Sequence, residues 1–241
     1  MCSDEITPKR ASREAVAKAL KLCAVTDRFW IERANQTAAK PFTIEDQVAE
    51  AIAGGATMIQ IREKDADTRE FVELARRVKE VTGKLGIPLI VNDSLEVAIA
   101  SGADGLHVGQ DDGDIARIRA RLANGEILGV TVHTAREARE AELAGADYVG
   151  VGAAFPTGSK DDVSVLSLEA FREIAEAVSI PAVAIGGITA EKAHLLTGCG
   201  LAGIAAISAV FAEPDRVRAA TERLAAAASK VAPSPAHRET E

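Results

Sequence analysis

Residues 143–151 read LAGADYVGV and contain the local pattern that decides the fold. An Ala-rich stretch of helical character ends at Gly145-Ala146, and Tyr148–Val151 has the apolar character of a buried strand. Glycine suits the left-handed position that ends a helix, so this joint predicts a helix-to-strand connection. Similar joints occur at Gly55-Ala56, Gly102-Ala103 and Gly200-Leu201-Ala202.

These joints are roughly 50 residues apart, which is long enough for two strand–helix units rather than one. The missing joints lie halfway between them, and each opens another apolar run: Gly86-Ile87-Pro88, Gly125-Glu126-Ile127 and Ser179-Ile180-Pro181. Proline suits the first residue of a strand. The repeat therefore predicts strands that alternate with helices along the whole chain.

Eight strands are predicted: Leu22–Thr26, Thr57–Arg62, Leu89–Asn92, Gly105–Val108, Ile127–Thr131, Tyr148–Val151, Ala182–Ile185 and Ile204–Ile207. Eight strands alternating with eight helices favour a single α/β domain, a (βα)8 TIM barrel over residues 22–228. Residues 1–21 form an N-terminal extension with an extra helix at Ser12–Lys21. Residues 229–241, with Pro233-Ser234-Pro235, are predicted to be a disordered tail.

The composition narrows the possible functions. The 241 residues are 47% hydrophobic but only 3% aromatic, which suits a barrel core better than a platform for stacking bases. A net charge of −8 argues against nucleic-acid binding, and no apolar run is long enough for a membrane span. The three cysteines show no CxxC spacing, which is typical of thiols in a reducing, cytoplasmic setting. The sequence does not predict an oligomeric state.

Polar residues gather at the predicted C-terminal strand ends, where barrels of this kind hold their active sites. Asp93 and Asp112 follow adjacent strands, and two carboxylates without Cys or His partners favour Mg2+. Arg62, Lys64 and Lys160 would surround the anion that this metal binds. A second phosphate is expected at Gly187, Ile207 and Ser208, on backbone N–H groups.

Each of these signals has a plainer interpretation when taken alone. Asn92-Asp93 is also a common turn or helix cap, and Gly186-Gly187 suits any tight turn. Arg62 and Lys64 could be a solvated surface pair. His107 and His133 are interpreted as orienting or structural residues rather than metal ligands, because neither has a second ligand at metal-binding spacing.

Seven motifs in this order closely resemble the thiamine phosphate synthase family, from about Leu22 to Leu224. The motifs are QIREK (60–64), ND (92–93), HVGQDD (107–112), GVTVHT (129–134), PTGSK (156–160), AIGGI (184–188) and ISAV (207–210). The resemblance implies a transferase of thiamine biosynthesis that joins a pyrimidine diphosphate to a thiazole phosphate and releases pyrophosphate.

The resemblance also implies a role for each matching residue. Gln60 recognises the aminopyrimidine, Asp93 and Asp112 hold Mg2+, and Thr131 lies near the reacting methylene. The diphosphate is contacted by Arg62, Lys64, Asn92 and Lys160, and Ile61 and Glu63 of the same motif are counted with the substrate-binding residues. The thiazole phosphate is contacted by Thr157, Gly158, Ser159, Gly187, Ile207 and Ser208.

The chain departs from the family pattern at a few positions. Ser94 stands where many members have a further Asp, and Thr131 and Ser159 exchange one hydroxyl residue for another. The segment 161–166 varies within the family. Residues 155–163 are interpreted as a lid that excludes water from the reaction.

Two other functions would be compatible with part of the pattern. A thiazole tautomerase of the same superfamily would lack the metal carboxylates and the Lys of REK, and would carry a catalytic His where this chain has Ala153. A non-catalytic phosphate-binding barrel would lack the charged set, which is intact here. Both alternatives are less consistent with the residues than the transferase.

Overall fold

The computed structural model describes residues 11–64, 66–123, 125–157 and 164–232. Eight parallel strands form a closed barrel in sequence order, in which β8 pairs with β1. This confirms the predicted (βα)8 barrel. The strands are β1 (Leu22–Val25), β2 (Met58–Ile61), β3 (Leu89–Asn92), β4 (Gly105–Val108), β5 (Ile127–Val132), β6 (Tyr148–Val151), β7 (Ala182–Ile185) and β8 (Gly203–Ala206).

Helices surround the barrel. They are α1 (Arg13–Ala19), α2 (Arg28–Asn35), α3 (Ile44–Ala53), α4 (Thr68–Lys84), α5 (Leu95–Ser101), α6 (Ile115–Arg121), α7 (Ala135–Leu143), α8 (Leu168–Glu176), α9 (Ser208–Phe211) and α10 (Val217–Ala228). The expectation of one helix after each strand is wrong at three places. Two helices separate β1 from β2, β8 is followed by both α9 and α10, and β7 and β8 are joined through a short 3-10 turn, Ala193–Leu196. Gly198 and Gly200, with φ of 78° and 74°, interrupt helical geometry in that last connection.

The sequence explains where the helices begin and which face they bury. Asp67 caps α4 by accepting hydrogen bonds from the backbone N–H groups of Arg69 and Glu70. Phe71, Leu74 and Val78 then face the sheet at helical spacing. The extra N-terminal helix is present, with Ser12 as its cap, and is slightly shorter than predicted.

The core has two layers. The larger lies between the sheet and the helices and includes alternate strand residues such as Ile59 and Ile61. The smaller fills the barrel, where Met58 and Ile90 pack with Val16 and Leu20 from α1 and its C-terminal end. The Thr57 hydroxyl also donates to the Ala19 carbonyl at 2.8 Å. Helix α1 therefore closes the N-terminal end of the barrel, and the polar residues collect at the other end.

The folded chain extends beyond the predicted start of the tail at Ser229. Val231 is only 3% exposed and belongs to the outer core, because its apolar side chain packs there after α10 ends. Residues 233–241 of the predicted tail lie outside the described residues. Within the described residues, no helix is both long enough and apolar enough to cross a membrane.

Candidate active site

A cavity of about 350 Å³ opens at the C-terminal ends of the strands. Its walls contain ten of the residues that the sequence analysis assigned to binding or catalysis. They are Gln60, Arg62, Asn92, Asp93, Asp112, Thr131, Thr157, Gly187, Ile207 and Ser208. The barrel thus brings to one place residues that are far apart in the sequence.

The wall formed by the ends of β2 and β3 carries buried polar side chains. Gln60 and Arg62 are 5% and 9% exposed, and both line the cavity. The Gln60 amide donates to Asn92 Oδ1 at 2.6 Å. Arg62 Nη1 lies 3.5 Å from Asp27 Oδ2, a neighbour that the sequence analysis did not identify. These contacts hold an amide and a guanidinium group in defined positions at the cavity wall.

Asp93 and Asp112 lie on the same cavity at the ends of β3 and β4. Asp93 has a φ of 64°, and its backbone N–H donates to the His107 carbonyl at 2.8 Å. Asp112 Oδ2 accepts a hydrogen bond from the Gly109 N–H at 2.6 Å. Across the described residues, no group of three or more His, Cys, Asp and Glu side chains is arranged to hold a metal. Two carboxylates still suit Mg2+, which keeps several waters and takes further ligands from phosphate.

The opposite wall, at the ends of β7 and β8, is built largely from backbone. Gly186 and Gly187 have φ of 102° and 62°. A Cβ atom on Gly187 would lie 2.5 Å from the Pro156 carbonyl oxygen, so only glycine fits there. Ile207 and Ser208 complete this wall, and its described lining residues carry no charged side chain. Such a wall can bind an anion only through N–H and hydroxyl groups.

The floor of the cavity is mostly apolar. Cys23 and Val183 line it, and both belong to the interior core. Burial raises the pKa of the Cys23 thiol to about 12, so this thiol stays protonated and unreactive at neutral pH.

One polar chain of hydrogen bonds rises through this floor. Tyr148 Oη lies 2.8 Å from His107 Nδ1, and His107 Nε2 lies 2.8 Å from Thr131 Oγ1. Burial raises the pKa of Tyr148 well above its usual value, so its hydroxyl keeps the proton. Tyr148 was not among the site residues predicted from the sequence. The strand period of two, which places Tyr148 inside the barrel with Gly150, was the available signal.

Some predicted site residues do not reach the cavity. Lys64 is exposed and is not part of the cavity wall, because β2 ends at Ile61 and the strand alternation does not extend to residue 64. The Ile61 side chain points away from the barrel into the outer core. Gly158, Ser159 and Lys160, like most of the predicted lid, lie outside the described residues.

The Glu63 side chain is buried and forms an ion pair with the half-exposed Arg28 instead of lining the cavity. Arg28 Nε donates to Glu63 Oε2 at 2.6 Å, while the buried Oε1 has no hydrogen-bond partner in the described structure. Burial raises the pKa of Glu63, and this effect outweighs the opposing hydrogen bond from Arg28. The same hydrogen bond raises the pKa of Arg28. Burial of the ionised Glu63 carboxylate beside the cavity wall therefore lowers the free energy of unfolding.

Comparison with known proteins identifies the family. A family model described as thiamine monophosphate synthase matches residues 32–210. The chain belongs to this family. A thiamine-phosphate synthase from Ruminiclostridium cellulolyticum is 46% identical over 76% of this chain and 86% of its own length. One from Clostridium novyi is 41% identical over 85% of this chain and 97% of its own.

A solved structure shows the same relationship. The thiamine phosphate pyrophosphorylase from Pyrococcus furiosus has a TM-score of 0.79 and 39% sequence identity, and covers 90% of this chain and 98% of its own. The protein is therefore a transferase of thiamine biosynthesis that condenses a pyrimidine and a thiazole phosphate into thiamine phosphate. Ala153, which stands where the alternative tautomerase function would require a histidine, is 3% exposed on the cavity wall.

Proposed function

We propose that the reaction is a Mg2+-assisted displacement of pyrophosphate from a pyrimidine diphosphate by the nitrogen of the thiazole phosphate. The observation that carries this proposal is the pairing of Asp93 and Asp112 with Arg62 on one wall of the cavity. A diphosphate carries several negative charges, and this wall offers both a cationic side chain, Arg62, and carboxylate ligands for a metal that would also neutralise them.

Asp93 and Asp112 would hold the metal, and Arg62, Asn92 and Lys160 would bind the diphosphate. Lys64, which is exposed and outside the cavity wall, would have to turn inward to join them. When bound to Asp93 and Asp112, Mg2+ would supply Lewis-acid stabilisation of the negative charge on the departing pyrophosphate. The Gln60 amide, which is fixed by Asn92, orients the aminopyrimidine. These residues stabilise charge that grows as the bond breaks, so they act mainly on kcat.

The bond changes need no general base. The methylene C–O bond breaks, and its electron pair leaves with pyrophosphate. The lone pair of the thiazole nitrogen then forms the new C–N bond. The 4-amino group of the pyrimidine delocalises the positive charge on the methylene carbon between these events, which favours a dissociative path. A ring substituent that withdraws electrons should slow the reaction, and an unchanged rate would contradict this path.

The thiazole phosphate would bind at the opposite wall, through Thr157, Gly187, Ile207 and Ser208, with Gly158 and Ser159 from the neighbouring segment. Backbone N–H groups and hydroxyl groups can bind a phosphate that does not react. Binding of this phosphate places the thiazole nitrogen against the methylene carbon, so the two substrates are already oriented for reaction when both are bound.

The direct test is release of pyrophosphate by the purified protein. Both substrates together with Mg2+ should give one pyrophosphate per thiamine phosphate. Omission of either substrate, or excess chelator, should stop the release. Pyrophosphate release at an undiminished rate in chelator would overturn the metal-assisted reaction.

We also place this reaction in the cytoplasm. The thiols of Cys23 and Cys199 are both free and buried, as is common in a reducing compartment. Cell fractionation with an antibody to the protein tests this location.

A further inference from the structure

The hydrogen-bonded chain Tyr148–His107–Thr131 has no role in the reaction as proposed so far. Its members come from the neighbouring strands β6, β4 and β5 and point into the barrel. Tyr148 and His107 are 1% and 9% exposed, whereas Thr131 is half-buried and faces the cavity. These hydrogen bonds therefore connect the buried interior of the barrel to the substrate site.

The backbone leaves room for both rings of this chain. A Cβ atom on Gly129 would lie 2.1 Å from the Tyr148 ring, and one on Gly150 would lie 3.0 Å from His107 Cε1. Any other residue at Gly129 would push the Tyr148 ring out of its place. Because Gly129 and Gly150 have no side chains, the Tyr148 and His107 rings can occupy the barrel interior, where branched apolar side chains usually pack.

The position of each proton follows from burial. Within the described structure, His107 is the hydrogen-bond partner of the Tyr148 hydroxyl. A buried hydroxyl must donate to a partner, so Tyr148 donates to His107 Nδ1. Because Nδ1 accepts this hydrogen bond, the ring proton of His107 lies on Nε2, which donates it to Thr131 Oγ1. Since Thr131 Oγ1 accepts this hydrogen bond, its own proton can point into the cavity.

We propose that Tyr148 and His107 are positioning residues that direct the Thr131 hydroxyl proton to an oxygen of the departing diphosphate. This inference rests on the proposed function, since it needs the diphosphate beside Thr131. The charge on that oxygen grows as the C–O bond breaks, so the hydrogen bond from a fixed Thr131 hydroxyl becomes stronger in the transition state. Loss of the hydrogen bonds between Tyr148, His107 and Thr131 should therefore lower kcat and leave the KM for the thiazole phosphate nearly unchanged.

A double-mutant cycle tests whether Tyr148 acts through Thr131. Tyr148→Phe removes only the hydroxyl and should lower kcat about tenfold, the effect of one hydrogen bond. In the Thr131→Val background the same change should alter kcat less than about twofold, because the donor is already absent. A larger loss in that background would overturn the proposal. If Tyr148→Phe does not fold, His107→Asn replaces it in the same cycle.

A matched control separates positioning from stability. Thr221→Val also removes a buried hydroxyl, one that donates to the Val217 carbonyl at 2.7 Å within α10. It should lower the unfolding temperature without changing kcat. If Thr221→Val lowers kcat as much as Tyr148→Phe, the effect on kcat is only structural, and the positioning role is overturned.

Nitrogen-15 NMR of the wild-type protein reads the His107 tautomer without any assay of activity. The chain contains four histidines, so loss of a signal in His107→Asn assigns it. The proton is expected on Nε2, and a proton on Nδ1 would overturn the proposal.

Pyrophosphate release by the wild-type protein distinguishes failure of this inference from failure of the proposed function. An active wild type with unchanged kcat in Thr131→Val rejects this inference alone, whereas an inactive wild type rejects the proposed function.

Discussion

The two walls of the cavity differ in the physics that they offer to an anion. The wall at β2–β4 presents a guanidinium group, amides and three carboxylates, whereas the wall at β7–β8 presents glycine backbone and one serine hydroxyl. The first can respond to charge that changes during a reaction, because ions act strongly at a partly buried site. The second suits a phosphate whose charge stays constant. We therefore propose that the diphosphate binds at the β2–β4 wall and the thiazole phosphate at the β7–β8 wall.

The largest effect should come from the metal ligands. Asp93→Asn and Asp112→Asn should each lower kcat about a thousandfold, because the metal and the leaving-group charge that it balances are lost together. Steady-state kinetics measure the loss, and the unfolding temperature should change little. Asp111→Asn is the matched control, since Asp111 lies beside Asp112 on the cavity but is not assigned to the metal. Equal losses in all three variants would contradict the assignment.

Substitution of Lys160, which lies outside the described residues, should have the next largest effect on kcat. Lys160→Ala should lower kcat about a hundredfold, as expected for one cation on the leaving group. Lys160→Arg should restore only part of the rate, because a planar fork does not replace a compact ammonium group. The exposed Lys84→Ala is the control and should change kcat less than about twofold. A near-wild-type kcat for Lys160→Ala would remove this residue from the site.

Substitutions at the β7–β8 wall should change binding instead of rate. Ser208→Ala should raise the KM for the thiazole phosphate about tenfold, since it removes binding energy of similar size in the ground and transition states. Gly187→Val should raise it further, because its Cβ would clash with the Pro156 carbonyl. The KM for the pyrimidine diphosphate serves as the internal control. An equal rise in that KM would show that the two walls are assigned wrongly.

The smallest effect concerns Glu63, behind the charged wall. Burial raises its pKa in the folded protein, so its contribution to stability is complete below the ordinary value of about 4.5 and is lost as pH rises through the raised pKa. Glu63→Gln should therefore become relatively more stable than wild type as pH rises above about 4.5. Thermal unfolding from pH 4 to 7 measures this, and the change should be about 2 °C or less. A difference that moves the other way would mean that the Arg28 ion pair outweighs burial.

The sequence was sufficient to predict which residues at the strand ends would lie on one cavity. Asp93 and Asp112 were predicted because parallel strands place their C-terminal ends at one edge. Lys64 was expected on the same wall only if β2 continued, and it ends at Ile61. The contact of Tyr148 with His107 could not be predicted, because it depends on residues of neighbouring strands, among them Gly129. Strand periodicity predicts which way a side chain points, but not which distant group it meets.

A structure with Mg2+, pyrophosphate and thiamine phosphate bound tests the assignment of the two walls most directly. Pyrophosphate and the metal should lie against Arg62, Asp93 and Asp112, and the phosphate of thiamine phosphate should lie against Gly187 and Ser208. The opposite placement, with pyrophosphate on the glycine wall, would show that the two walls are assigned wrongly.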